Sequence, residues 1–335
     1  MKKGIFWGII FDKKTLLLIN FLFLLIILIL IIVILFKTSQ DDSFSKITRD
    51  QNNVFKLTSP ILDCENVSQN DSSVISLYKV NQKVESLKDK YGVEDISLYF
   101  RDLNNGPWVG ISEEKIFSPA SLLKTPIIMA LFKYAETNPD ILNKEIITKE
   151  SDILADSNQN IVFPDVLKKD TKYTLLQVAE SMIKKSDNAG VGIILNNIPK
   201  NYVDGVFRSI GVPYKDLNTE VSLRVKDYAA FFRVLFNASY LDREMSEKTL
   251  EILSESEYKN GLVAGVPEDI TVAHKFGERV SDNIYQLHDC GIIYYPQNPY
   301  LLCVMTRGNS FKNQEDFIKD ISNYIYTEID KNKKS

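Results

Sequence analysis

A chain of 335 residues with 44% hydrophobic and 25% charged positions is long enough to bury one sizeable core, or two subdomains. Its formal net charge of −4 supplies no basic footprint, so no nucleic-acid partner is expected. Cys64, Cys290 and Cys303 match no zinc spacing and cannot all pair within one chain, so neither a metal nor a cofactor is expected.

Residues 1–14 carry Lys2, Lys3, Lys13 and Lys14, and the stretch Thr15–Phe36 that follows has Asn20 as its one strongly polar residue. At about 1.5 Å per residue, a helix over 15–36 matches the ~30 Å hydrocarbon core of a bilayer. The run exceeds the ~7–15 residues of a signal-peptide core, and no small-residue cleavage site follows it. Lysines before the span, with Asp41 and Asp42 soon after it, place residues 1–14 in the cytoplasm and the remainder outside. The expectation is an uncleaved single-pass signal anchor in a bacterial cell envelope. Residues 37–72, rich in Asp, Ser, Asn and Gln, read as a polar linker to a domain over 73–332.

Within that domain Val74, Leu77, Val80, Val84 and Leu87 keep a helical spacing. Ile96–Arg101 alternates as a strand, and Asn104-Asn105-Gly106 turns towards a second one. A strongly apolar helix is expected over Pro119–Glu136, with Ser118 as N-cap and Pro119 in its first turn. Mostly helical sequence follows, including Thr174–Lys185, Val225–Phe236 and Phe231–Leu253, with Thr174 and Gln177 spaced as a capping box. Strand-like runs return at Ile270–Ala273, Gly291–Tyr295 and Tyr300–Thr306, the last two joined through Pro296–Pro299 as a hairpin. Phe317, Ile318, Ile321, Ile325 and Ile329 mark a closing amphipathic helix. This order predicts an α/β sandwich with a helical insertion. Cys290 and Cys303 fall on neighbouring apolar runs and read as two buried thiols, one bridge remaining open to an extracytoplasmic domain.

Three short motifs bear on chemistry. Ser-x-x-Lys occurs six times, beginning at Ser43, Ser76, Ser112, Ser121, Ser181 and Ser256. Only Ser121 opens an apolar helix, where Lys124 shares its face and the helix N-terminus favours developing negative charge. Desolvation would also lower the basicity of such a lysine enough for it to serve as a base. Ser186-Asp187-Asn188 follows a predicted helix and recurs at Ser281-Asp282-Asn283; either copy can serve as a turn or a cap. Lys275-Phe276-Gly277 follows a strand-like run, with looser Lys-x-Gly matches at Lys2, Lys90 and Lys259.

Taken in order, Ser121-x-x-Lys124, Ser186-Asp187-Asn188 and Lys275-x-Gly277 resemble the fingerprint of class A β-lactamases and penicillin-binding proteins. The second Ser-Asp-Asn copy fails this order, because no Lys-x-Gly follows residue 283. The resemblance covers about residues 75–330. It implies a β-lactamase/DD-peptidase-like fold, an antiparallel sheet flanked by helices plus an all-helical subdomain. It implies an active-site serine hydrolase acting on β-lactams or D-Ala-D-Ala-like amides, with a small-molecule or peptidoglycan-peptide substrate. Carried over, Ser121 is the acylated nucleophile, Lys124 takes its proton and Ser186 relays a proton to the leaving nitrogen. Asn188 binds the substrate amide and holds Lys124, while Lys275 supplies charge for a substrate carboxylate and tunes Ser186. The backbone N–H groups of Ser121 and Glu278, beside Gly277, would form the oxyanion hole.

Two departures stand out. Phe276 replaces the Thr or Ser usual in the family, leaving Arg279 as the nearby carboxylate partner. The deacylating glutamate of class A enzymes precedes a Leu-Asn pair by three residues; counting back from Leu217-Asn218 gives Tyr214, and Glu220 lies beyond the pair. The alternatives are therefore a penicillin-binding DD-peptidase with slow deacylation or a non-hydrolytic β-lactam-binding or sensing domain. A purely structural envelope protein fits the motif set less well. A Ser-His-Asp hydrolase is disfavoured, since no Gly-x-Ser-x-Gly elbow exists and His274 and His288 read as structural.

Overall fold

The computed structural model describes Leu25 and residues 55–59, 75–104, 106–153, 159–216 and 221–334. The chain divides into two units, 1–50 and 51–335. Of the first only Leu25 is described, helical and exposed, so the expected span over 15–36 otherwise lies outside the described residues. Among the described residues no helix is long and apolar enough to cross a membrane.

The elements of the second unit begin with α1 (Leu77–Tyr91), β1 (Asp95–Asp102), β2 (Trp108–Ile111), β3 (Ile116–Phe117), a 3-10 turn at Ala120–Leu123 and α2 (Lys124–Ala135). There follow β4 (Glu145–Ile147), α3 (Glu150–Ile153), β5 (Lys172–Thr174), α4 (Leu175–Lys184), α5 (Ala189–Leu195) and α6 (Lys200–Ile210). Next come β6 (Leu223–Arg224), α7 (Val225–Phe236), α8 (Arg243–Ser254), β7 (Val272–Ser281), β8 (Ile284–Ile293), β9 (Tyr300–Gly308) and α9 (Phe311–Lys334).

Five antiparallel strands form one sheet in the order β2-β1-β9-β8-β7, with β7 at an edge. Both faces are covered, and the two-residue alternation of the strands divides the interior accordingly. Leu98, Phe100, Leu302 and Val304 join α1 and α9 through Val84, Phe317 and Ile321. Tyr99, Leu301, Cys303 and Met305 face the other way, against Met129, Phe231 and Phe232 of the helical subdomain. The N- and C-terminal helices thus share a layer, and the helical insertion between Phe117 and Val272 makes the other. Gly92 ends α1 at φ 61°, a left-handed cap that favours glycine.

Several expectations shift in detail. The helix expected over Pro119–Glu136 begins as the 3-10 turn at Ala120, and neither that turn nor α2 has a side-chain cap, so Ser118 is not the N-cap. Its hydroxyl instead accepts from Arg279 Nη1 at 3.0 Å. The stretch Phe231–Leu253 is broken between α7 and α8, with Asp242 capping α8. β7 runs well past Ala273 to Ser281. Asp282 (φ 52°) and Asn283 (φ 62°) then make the left-handed pair of a tight hairpin turn, which accounts for the second Ser-Asp-Asn sequence. Cys290 and Cys303 stand opposite each other on β8 and β9 and are disulfide-bonded, in place of the two free thiols expected. Cross-strand register, which cysteine spacing alone does not encode, brings them together.

Residues 55–59, inside the stretch that reads as a linker, pack on the domain. The Glu247 carboxylate accepts the backbone N–H groups of Lys56, Leu57 and Thr58 at 2.5, 2.6 and 2.7 Å. Ser59 N–H reaches the Phe236 carbonyl at 2.6 Å, and Tyr294 donates its hydroxyl to Leu57 O at 3.0 Å.

Candidate active site

The 3-10 turn and α2 set Ser121 and Lys124 on one face, and Lys124 Nζ lies 3.0 Å from Ser121 Oγ. The lysine is 2% exposed at the base of the helical subdomain. Its Nζ also meets Ser186 Oγ at 3.1 Å, the Ser186 carbonyl, and Asn188 Oδ1 at 2.6 Å. These acceptors surround a group with three donors, which locates the nitrogen firmly between two serine hydroxyls. Beneath it, Thr125 and Tyr228 share a hydroxyl–hydroxyl bond of 2.8 Å that ties α2 to α7.

Ser186 sits between α4 and α5, buried, with φ 57°. This left-handed conformation is sparsely populated for a residue with a Cβ and turns both its hydroxyl and its carbonyl towards Lys124. Asp187 fixes that turn. Its buried carboxylate accepts Ser181 Oγ at 2.7 Å, Leu167 N–H at 2.8 Å and Ala189 N–H at 3.0 Å. Ser181, another start of a Ser-x-x-Lys sequence, therefore has a positioning partner in the loop. Ala120, next to Ser121, is also left-handed at φ 48°, so backbone strain flanks the lysine on both sides.

β7 forms the opposite wall. Lys275 is fully buried and donates to Ser186 Oγ at 3.0 Å and to the Phe276 carbonyl at 2.9 Å. Burial pushes its amine well below the ordinary lysine range, the Lys124 charge adds to this, and Asp289 opposes it. Gly277 packs directly on the turn that carries Ser121: a Cβ there would lie 2.8 Å from Pro119 O and 3.0 Å from the Leu122 N. Glu278 directs its carboxylate to the segment 159–161, accepting Asn160 N–H at 2.6 Å, Asn160 Nδ2 at 2.8 Å and Ile161 N–H at 3.1 Å. Gln159 Nε2 donates to Ser186 O at 2.6 Å. Sequence reasoning missed Gln159, Asn160, Asp187 and the Glu278 side chain; Asp187 was visible only as the middle of a motif, and the others carry no local signal.

Phe276 belongs to the other core, stacked on Tyr258 at 4.2 Å between ring centroids and met by the Phe163 edge at 5.9 Å, and Lys275 Nζ stands 4.3 Å from its ring centroid. Tyr214 stacks on Phe207 at 3.9 Å, an aromatic pair at the end of α6; Glu220 lies outside the described residues. Neither histidine meets Ser121. His274 Nδ1 pairs with Asp289 Oδ1 at 2.8 Å, both fully buried, and His288 Nε2 contacts the Ser118 carbonyl at 2.9 Å. Among the described residues no group of three or more His, Cys, Asp or Glu is placed to hold a metal ion.

A lysine shared by two serines, walled by a buried strand lysine, is the arrangement that the ordered motifs anticipate. A sequence model of the β-lactamase enzyme family matches residues 79–329. The chain belongs to the β-lactamase enzyme family. It is thereby a serine hydrolase of the β-lactamase type, acting on lactam amide bonds. The fold agrees. PBP-A is similar at a TM-score of 0.64 and 22% identity, over 76% of this chain and 96% of that one. A β-lactamase from Sphaerobacter thermophilus gives 0.66 and 18%, over 76% and 98%. A class A β-lactamase from Mycobacterium abscessus gives 0.64 and 20%, over 74% and 98%. A search of curated proteins finds no significant match.

Proposed function

We propose that the reaction of this β-lactamase family member runs through an acyl-enzyme on Ser121, formed with β-lactams or D-Ala-D-Ala-like amides. The observation that carries the reading is the Lys124 amine, 3.0 Å from Ser121 Oγ and 3.1 Å from Ser186 Oγ. In its neutral form this amine takes the Ser121 proton as the hydroxyl oxygen attacks the carbonyl carbon. Ser186 then gives its hydroxyl proton to the leaving nitrogen as the C–N bond breaks and recovers one from Lys124, while Lys275 holds the Ser186 oxygen. Backbone N–H groups of Ser121 and Glu278 serve the developing oxyanion. Asn188 orients Lys124 and the substrate amide.

Hydrolysis of the acyl-enzyme is the weaker half of the cycle in this reading. The position three residues before Leu217 holds Tyr214, whose ring is committed to Phe207, so no carboxylate activates water from there. A long-lived adduct follows. One similar structure is an acyl-enzyme complex of a PBP-A mutant with penicillin G, which supports penicillin as a probe here. The apolar run 15–36 and its flanking charges support a single-pass anchor, with residues 1–14 cytoplasmic and, outside, the stretch 37–72, of which residues 55–59 dock on the domain, and the domain over 73–332.

The test is intact-mass measurement of the detergent-solubilised chain after mixing with penicillin G. A mass increase equal to penicillin, persistent over time and absent in Ser121→Ala, is expected. No adduct, or the same adduct on the variant, would reject Ser121 as the nucleophile.

A further inference from the structure

Gln159 and Asn160 are consecutive residues bound to opposite walls of the site. Gln159 holds the carbonyl of Ser186 on the α4–α5 side, and Asn160, with Ile161, holds the Glu278 carboxylate on β7. Ser121 lies between those walls, because Lys124 links it to Ser186 and Gly277, the neighbour of Glu278, rests on the turn that carries it. A tie from Ser186 to Glu278 therefore crosses the gap above the nucleophile. Ser121 remains partly exposed while Ser186 and Lys275 are buried, so the gap is narrowed and not sealed. The crossing segment is fastened largely by hydrogen bonds: Asn160 is exposed, and Ile161 is only partly buried against the core that holds Phe276. Three N–H groups on the Glu278 carboxylate fasten Asn160 and Ile161 to β7, and charge-assisted bonds at a surface release more readily than core packing.

We propose that Gln159–Ile161 form a bar across the mouth of the cleft, latched by the Glu278 carboxylate, which admits slender acyl donors and hinders bulky ones. This rests on the reading of Ser121 as the reacting group, and it names the determinant of substrate size at that same site.

The experiment replaces Ser121 with cysteine in the full chain and follows alkylation at position 121 by peptide mass, separately from Cys64. Two reagents are compared, iodoacetamide and a fluorescein maleimide, with Glu278 intact and in Glu278→Ala. The bulky reagent is expected to react about tenfold faster once the latch is removed, the scale of about one charge-assisted hydrogen bond, and iodoacetamide to change by less than about twofold. An unchanged maleimide rate, or an equal rise with both reagents, overturns the bar as a size filter. Should Glu278→Ala not unfold cooperatively, Asn160→Ala carries the same comparison, since it removes one of the latch bonds and leaves β7 intact. Alkylation requires no acyl transfer, so a Ser121 inert to penicillin would reject the hydrolase chemistry while this result stands on its own.

Discussion

Gly277 lies so close to Leu122 that a Cβ on the glycine would stand 3.0 Å from the Leu122 backbone nitrogen, and 2.8 Å from the carbonyl of Pro119. The neighbour on the other side of the contact is backbone, which cannot turn aside as a side chain can. The glycine thus sets how near the β7 wall comes to the turn that carries Ser121, and through Lys275 how near it comes to Ser186.

Gly277→Ala is accordingly expected to separate β7 from Ser121 and slow acylation by about a hundredfold, the scale of an ångström's misplacement in a reacting pair. Stopped mixing with a fluorescent penicillin, read against circular dichroism of the folded variant, measures it. A normal acylation rate would mean that the strand position does not govern the chemistry.

Lys124→Met keeps the volume in the core and removes the base. Acylation of Ser121 is expected to fall by about 10²–10⁴-fold, while Asn188→Ala, which leaves the amine and its two serine contacts, costs about tenfold. Equal losses in the two variants would show that Asn188 does more than orient the lysine.

His288 supplies a pH dependence of stability. Its Nε2–H donates to Ser118 O and its Nδ1 accepts Thr306 N–H at 3.2 Å, which suits only the neutral ring. Burial holds its pKa down to about 4 from an ordinary 6.5. Between those values the unfolded chain binds a proton that the folded one does not, so stability falls as pH drops from 6.5 through 4. The loss approaches ~3 kcal/mol at the acid end, an upper figure given the size of the shift. Urea unfolding at several pH values should show this slope, and His288→Gln should flatten it.

Glu247→Ala leaves the N–H groups of Lys56, Leu57 and Thr58 without their acceptor. A loss of about 2–3 kcal/mol in urea unfolding is expected, and deletion of residues 1–59 should make the Glu247 substitution nearly neutral. Additive effects of the two changes would show that the docked segment and Glu247 do not act together.

Tyr214→Glu puts a carboxylate where the Leu217-Asn218 spacing places a deacylating base. The penicillin adduct should then decay about tenfold faster or more than in the parent chain, read by the time course of intact mass. An unaltered lifetime would place the deacylating water elsewhere.

How far the sequence reaches varies by element. Hydrophobic spacing at Val80, Val84 and Leu87 and again along Phe317–Ile329 is sufficient for α1 and α9, and the Thr174–Gln177 capping box is present at α4. The start of α2 is misplaced by sequence because Ser118-Pro119 has the residue types of a helix N-terminus, while the close approach of Gly277 and the tie from Arg279 to Ser118 hold the chain in a 3-10 turn. β7 is cut short because Lys275, Gly277 and Arg279 alternate towards a polar site, which hides a strand from an apolar pattern.

By itself, the sequence determined the order of the elements and named the three motifs that meet at the candidate site, because both are written in local spacing. Tertiary structure alone decided which Ser-Asp-Asn faces Lys124 and which makes a hairpin turn, since 62 residues separate Lys124 from Ser186 and only packing joins them. It also decided the pairing of Cys290 with Cys303, the neutral state of His288 and the crossing of Gln159–Asn160 over the site. Each of these depends on register, burial or a contact between distant segments, and none of those quantities has a local signature in the chain.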